Sequence, residues 1–148
     1  MSSPASGDLG PPRIVVADED QAIVAFVVGV LRQEGYAVFH AFDSVAAVEL
    51  TSALDACHLV ITNTRVQGTA GIELIHELRR RLPELPILYL ANLHQSTPEL
   101  EAQLPLDVPI LREPFSAEEL RSSVRPLLDG RGRAIVPRAS HPPAATPS

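Results

Sequence analysis

The stretch LVITNTRVQGTAGIELI, residues 59–75, changes its hydrophobic period part-way along. Its opening Leu59-Val60-Ile61 is a short continuous apolar run, the pattern of a strand buried on both faces of a parallel sheet. From Ile72 the apolar residues recur at helical spacing through Leu74, Ile75 and Leu78, until Pro83 closes the segment. Between the two lies a polar loop holding Asn63, Arg65, Gly68 and Gly71. Strand, loop and helix in that order form half of a β-α-β unit.

The same alternation extends in both directions. Upstream, residues 13–17 (RIVVA) read as a strand, 21–34 as a helix stopped by Gly35, and 36–41 as a second strand. A helix capped by Asp43 or Ser44 runs to about Ala53 and leads into the third strand, 58–62. Downstream, 72–82 is a helix, 86–90 (PILYL) a fourth strand and 97–104 a short helix with Thr97 capping and Pro98 in its first turn. Residues 108–111 make a fifth strand. Ser116 and Glu119 have the spacing of a capping box that opens a last helix to about Leu128. Five strands alternating with five helices predict an α/β fold with a five-stranded parallel sheet and helices on both faces.

Composition narrows the chemistry. The 148 residues carry 12 basic and 18 acidic side chains, a net charge of −6, and every basic residue is an arginine. Mechanisms that need a lysine, as Schiff base or phosphate clamp, are excluded. The acidic balance argues against nucleic acid and anionic membrane as partners. Cys57 is the single cysteine, so no intrachain disulfide forms, and it reads as a structural thiol beside His58. No leader and no apolar run of spanning length is visible, which predicts a cytoplasmic protein. Residues 1–12 and 130–148, rich in Pro, Ser, Gly and Ala, read as disordered tails around a domain at 13–129. The second of these carries Arg131, Arg133 and Arg138 and no acid.

In sheets of this kind, function gathers outside the C-terminal strand ends. There stand Asp18, Glu19 and Asp20 after the first strand, and Asn63 to Gly68 after the third. Ala91 and Asn92 follow the fourth, and Arg112, Glu113, Pro114 and Phe115 the fifth. Over residues 13–129 the pieces VVADEDQAI, LVITNTRVQGTAGIELI, PILYLAN and LREPF, in this order, resemble the receiver domain of two-component response regulators. The resemblance implies a flavodoxin-like (βα)5 fold and a signalling role rather than an enzymatic one. The family moves a phosphoryl group from a histidine kinase to an aspartate. It uses an acidic pair for Mg²⁺, a hydroxyl after strand four and a lysine after strand five.

Matched position by position, the acidic pair is Asp18 and Glu19, the phosphoacceptor position is Asn63, the hydroxyl position Ala91 and the lysine position Glu113. An amide is a poor nucleophile, Ala91 offers no hydrogen bond, and Glu113 reverses the charge that would face a phosphoryl group. The family's switching aromatic corresponds to Ile110. The expectation is a stand-alone pseudo-receiver that needs no cofactor, binds Mg²⁺ weakly if at all, and works through contact with a signalling protein or histidine kinase.

Arg65 is expected either to offer its backbone carbonyl to a metal or to plug the acidic cluster with its side chain, against Glu19 or Glu113. Thr62 and Thr64 read as structural. Arg79, Arg80 and Arg81 complement a helix dipole, and His40, His58, His76 and His94 lack ligand spacing. The face made by the 97–104 helix, strand five and the last helix is expected to meet a partner or a second copy of the chain. Two other readings stay open: a receiver phosphorylated at an unconventional residue, and a small α/β ligand-binding domain or enzyme using the acidic pocket.

Overall fold

The structure, a computed structural model, describes residues 10–129. The expectations for residues 1–9 and 130–148 lie outside the described residues. Five strands, β1 (Arg13–Ala17), β2 (Ala37–Ala41), β3 (Leu59–Asn63), β4 (Ile87–Ala91) and β5 (Ile110–Arg112), form one sheet. Its order is β2-β1-β3-β4-β5, with every neighbouring pair parallel. The helices are α1 (Gln21–Gln33), α2 (Ser44–Ala53), α3 (Gly71–Arg81), α4 (Pro98–Glu101) and α5 (Ala117–Leu128).

The period-2 geometry of the strands sorts their side chains into two cores. Ile14, Val16, Leu59, Ile61, Leu88 and Leu90 face Val27, Leu31, Leu120 and Val124 of α1 and α5. Val15, Ala17, Val60, Ile87 and Tyr89 face Ala47 of α2 and Ile72, Ile75 and Leu78 of α3. Strands buried on both faces are why these segments read as unbroken apolar runs. Among the described residues, no helix is long and apolar enough to cross a membrane.

The expected caps form. Asp43 accepts from the Ala46 amide, Thr97 from the Leu100 amide, and Ser116 with Glu119 closes a reciprocal capping box. Asp20, counted with the strand-end acids, caps α1 by accepting from the amides of Ala22 and Ile23.

Three expectations are corrected. The 97–104 helix is a single turn at Pro98–Glu101, and the chain then tightens into i→i+3 bonds from Gln103 and Leu104 ahead of Pro105. Strand five starts at Ile110, not at residue 108, because Val108 turns back onto the Pro105 carbonyl and Pro109 has no N–H for the ladder. The loop after β3 also contains a small antiparallel hairpin, Arg65–Val66 with Thr69–Ala70. Gly68, at φ +98°, turns it, a conformation side-chain-bearing residues rarely adopt.

Arg79 exceeds its expected role. It donates to the Leu85 carbonyl and pairs twice with Asp107, tying the end of α3 to the loop before β5. Arg80 and Arg81 both pair with Glu77 on α3 itself.

Candidate functional site

The chain winds one way from β1 to β2 and the other way to β3, so β1 and β3 lie side by side while their connections diverge at the C-terminal edge. That crevice brings Asp18 and Asn63 together. Asp18 follows β1 and is fully buried; one of its oxygens accepts from the Asp20 amide at 2.8 Å. Its other oxygen accepts from Asn63 Nδ2 at 2.7 Å. The same Nδ2 donates to Glu113 Oε2 at 3.2 Å. The orientation of the Asn63 amide is fixed from behind, where its Oδ1 accepts from the Thr64 amide. One neutral side chain thus spends both amide protons on two carboxylates.

Backbone geometry holds Asn63 in this place. The Gly71 amide donates to the Thr64 carbonyl at 2.8 Å and lays the start of α3 against the end of β3. A Cβ on Gly71 would overlap the Asn63 carbonyl, so only glycine permits this approach. Thr64 donates to the Leu90 carbonyl at 3.0 Å and accepts from the Asn92 amide at 2.8 Å, stitching β3 to β4. Thr62 is buried and donates to the Asn63 carbonyl. Both threonines have the structural role read from the sequence.

Ala91 ends β4 with its methyl group buried in the core on the α2–α3 side, while its carbonyl accepts from the Glu113 amide at 3.0 Å. Glu113 lies half-buried before a cis peptide bond to Pro114. Ile110 pairs with Tyr89 across β4 and β5.

Electrostatics follow from this crowding. Burial pushes Asp18 up to about 6, opposed by the hydrogen bonds from the Asp20 amide and from Asn63. Burial, then the nearby Asp18 charge, holds Glu113 above the usual carboxylate range. Glu19 is exposed, unlike the buried Asp18 and the half-buried Glu113. Its nearest cation is Arg65, at 4.0 Å between two side chains that are each about half exposed. The arginine therefore meets Glu19 rather than Glu113, at a distance and exposure where an ion pair contributes little. The element that occupies the acidic cleft is the Asn63 amide, which the sequence reading did not anticipate.

Mg²⁺ would meet this donor set at the strand ends. A cation needs converging oxygens. Here the inward oxygens of Asp18 and Glu113 already accept from an N–H₂ group, and the Asn63 oxygen faces the Thr64 amide. Among the described residues, no group of three or more His, Cys, Asp and Glu is arranged to hold a metal ion. In this arrangement the Asn63 amide, and not a cation, bridges the two carboxylates.

Comparison with known proteins agrees with this architecture. A family model described as the response regulator receiver domain matches residues 14–125. The chain belongs to that family. Receiver domains of two-component systems are signalling domains that interact with histidine kinases.

This receiver is 31% identical over 112 residues to the uncharacterized transcriptional regulatory protein YrkP of Bacillus subtilis, covering 76% of this chain and 47% of that protein. It is 26% identical to the response regulator receiver protein CpdR of Brucella abortus, over 78% of this chain and 96% of CpdR. It therefore spans about half the length of relatives such as YrkP and nearly all of CpdR. A solved receiver protein from Sinorhizobium medicae matches with a TM-score of 0.74 at 25% identity, over 83% of this chain and 98% of that one. The receiver domain of NtrX from Brucella abortus matches with a TM-score of 0.70 at 25% identity, over 79% and 98%.

Proposed function

We propose that this receiver signals without phosphorylation, as a pseudo-receiver held in one state by its own side chains and read by a protein partner. The observation that carries this reading is the Asn63 amide, seated between Asp18 and Glu113 where the family resemblance places a nucleophile, a cation and a lysine. Each requirement of phosphoryl transfer fails for a separate reason. Asn63 presents its nitrogen rather than an oxygen to the cleft, the Ala91 methyl cannot donate, and Glu113 repels an anion. The partner is a histidine kinase or another signalling protein. The face comprising α4, β5 and α5, with Leu106 fully exposed beside it, is a surface for that partner or for a second copy.

Phosphoryl-donor chemistry tests the reading. The protein and an Asn63→Asp, Ala91→Thr, Glu113→Lys triple variant are incubated with Mg²⁺ and acetyl phosphate, or with beryllofluoride. Intact mass and amide spectra are then followed. The expected result is no adduct and no spectral change in the wild type, with both appearing in the triple variant. Phosphorylation of the wild type at a unique residue would instead establish an unconventional acceptor. Turnover of the donor without an adduct would point to an enzyme.

A further inference from the structure

Beside the acidic cleft runs an apolar groove of about 330 Å³, between α1 and the loops that follow β4 and β5. Ile23, Phe26, Leu93 and Phe115 line it, and Glu113 stands at its rim. Phe26 is 41% exposed and Leu93 68%, large fractions for side chains of this size. The Phe26 and Phe115 rings lie 6.0 Å apart along one wall. Glu113 lines the groove, and the exposed Glu19 and Asp20 stand at the start of α1 just before Ile23, with Arg65 4.0 Å from Glu19. A ligand that suits this surface carries branched apolar side chains between cations.

Such a segment exists in the chain itself. Residues 131–138 read RGRAIVPR, with Ile135 and Val136 between Arg133 and Arg138, and no acid occurs in 130–148. Its starting point also suits the groove. The first residue of α5 lies just past Phe115, and the 12 residues of the helix carry the chain about 18 Å away, to Asp129. An extended chain at about 3.3 Å per residue spans that length in roughly six residues, the separation between Asp129 and Ile135.

We propose that residues 131–138 dock in cis into this groove, with Ile135 and Val136 against Phe26 and Phe115 and the arginines against Glu113 and its acidic neighbours. A larger groove of about 760 Å³ between α2 and α3 is a poorer fit. It lies on the sheet face opposite α5, Arg81 stands in its lining, and two of its three acids are engaged, Glu73 by Thr69 and Glu77 by Arg80 and Arg81. The docked segment covers the apolar surface next to the cleft, so a protein partner using that surface must displace it. This holds whether or not the cleft accepts phosphate.

The test uses the full chain carrying Ser140→Cys and a nitroxide label. Cys57 is buried and does not compete for the reagent. The expected result is at least a twofold loss of amide signal at residues 23–26, 92–94 and 113–115. It should be unchanged on dilution with unlabelled protein, and abolished in an Ile135→Ser, Val136→Ser variant or by Phe26→Ala. High salt should weaken it, because exposed charge pairs are screened over about 8 Å or less under those conditions. Broadening centred on Val45 and Val48 would overturn the assignment, as would uniform broadening insensitive to these substitutions. Broadening that vanishes on dilution with unlabelled chain would place the segment on a second copy, and would also overturn docking in cis.

Discussion

Asn63 shows how one atom exchange can close a site. Its nitrogen is a permanent donor between Asp18 and Glu113, so the two acids are bridged at every pH at which they are ionised. Asn63→Asp alone replaces both bonds with like-charge contacts. Chemical denaturation at pH 7.5 is expected to show a loss of about 2–4 kcal/mol, shrinking below pH 5 as the carboxyls take up protons. An unchanged stability would mean that the bridge contributes nothing. Asp18 makes a second prediction. Its folded pKa of about 6 lies above the ordinary 3.8, so the protonated form favours folding. That contribution is fully present below about pH 3.8 and is lost as pH rises through 6. Relative to Asp18→Asn, the wild type should lose about 2–3 kcal/mol between pH 4 and 7.5, and parallel stability curves for the two proteins would refute it. The identities of Asp18, Asn63, Ala91 and Glu113 and their shared position at the strand ends were legible in the sequence. The bridge itself was not, because it depends on which way a buried amide turns, and that is set by the Thr64 amide behind it.

Elements were most legible where a local rule and the core agreed. The capping box of Ser116 and Glu119 and the Thr97-Pro98 start needed no tertiary information. The 65–70 hairpin escaped because two-residue strands carry no period, leaving Gly68 as the only sign of a turn. The short α4 was misread for length, since the apolar spacing of Leu100 and Leu104 continues past Glu101, where the chain tightens into i→i+3 bonds ahead of Pro105. What holds α4 is polar. The buried Tyr89 hydroxyl meets Ser96 Oγ at 2.9 Å, Ser96 donates to Glu101 at 2.8 Å, and Arg112 grips the same carboxylate twice, at 2.7 and 2.9 Å. These bonds from Arg112, then that from Ser96, keep Glu101 below the usual carboxylate range. The relay joins β4, α4 and β5 in a chain where Ala91 and Ile110 cannot provide the hydroxyl–aromatic pair implied by the resemblance. Tyr89→Phe should therefore cost about 1 kcal/mol and speed amide hydrogen exchange selectively over residues 96–104. Uniform exchange across the domain would show that the relay is ornamental. The start of α3 yields the sharper outcome: Gly71→Ala must push α3 off the Asn63 carbonyl, an expected loss of about 2 kcal/mol or more by urea denaturation.

At the scale of the molecule, both faces of the sheet are covered, and β3 stands at its centre with two parallel neighbours. Cys57 sits just before that strand, fully buried, its thiol facing the Leu59 carbonyl at 3.6 Å. The adjoining His58 amide donates to the Arg13 carbonyl at 2.9 Å, so the turn that holds the thiol is fastened to the first residue of β1. Burial pushes the thiol up to about 12, far from the thiolate form that reacts with disulfide reagents. A reagent can reach it only if β1 and β3 part, and separating the two central strands exposes both cores together. Cys57 is thus a reporter of global opening rather than of local fraying. With an aromatic disulfide at pH 8, the folded protein is expected to react on the order of 10⁴-fold or more slowly than the urea-unfolded chain, as a stability above about 5 kcal/mol requires. The logarithm of the rate should rise linearly with urea from zero denaturant, with the slope of the equilibrium transition. A flat region at low urea would reveal a local path to the thiol. In that case the β1–β3 crevice would open independently of the rest of the sheet, and the cleft around Asn63 with it.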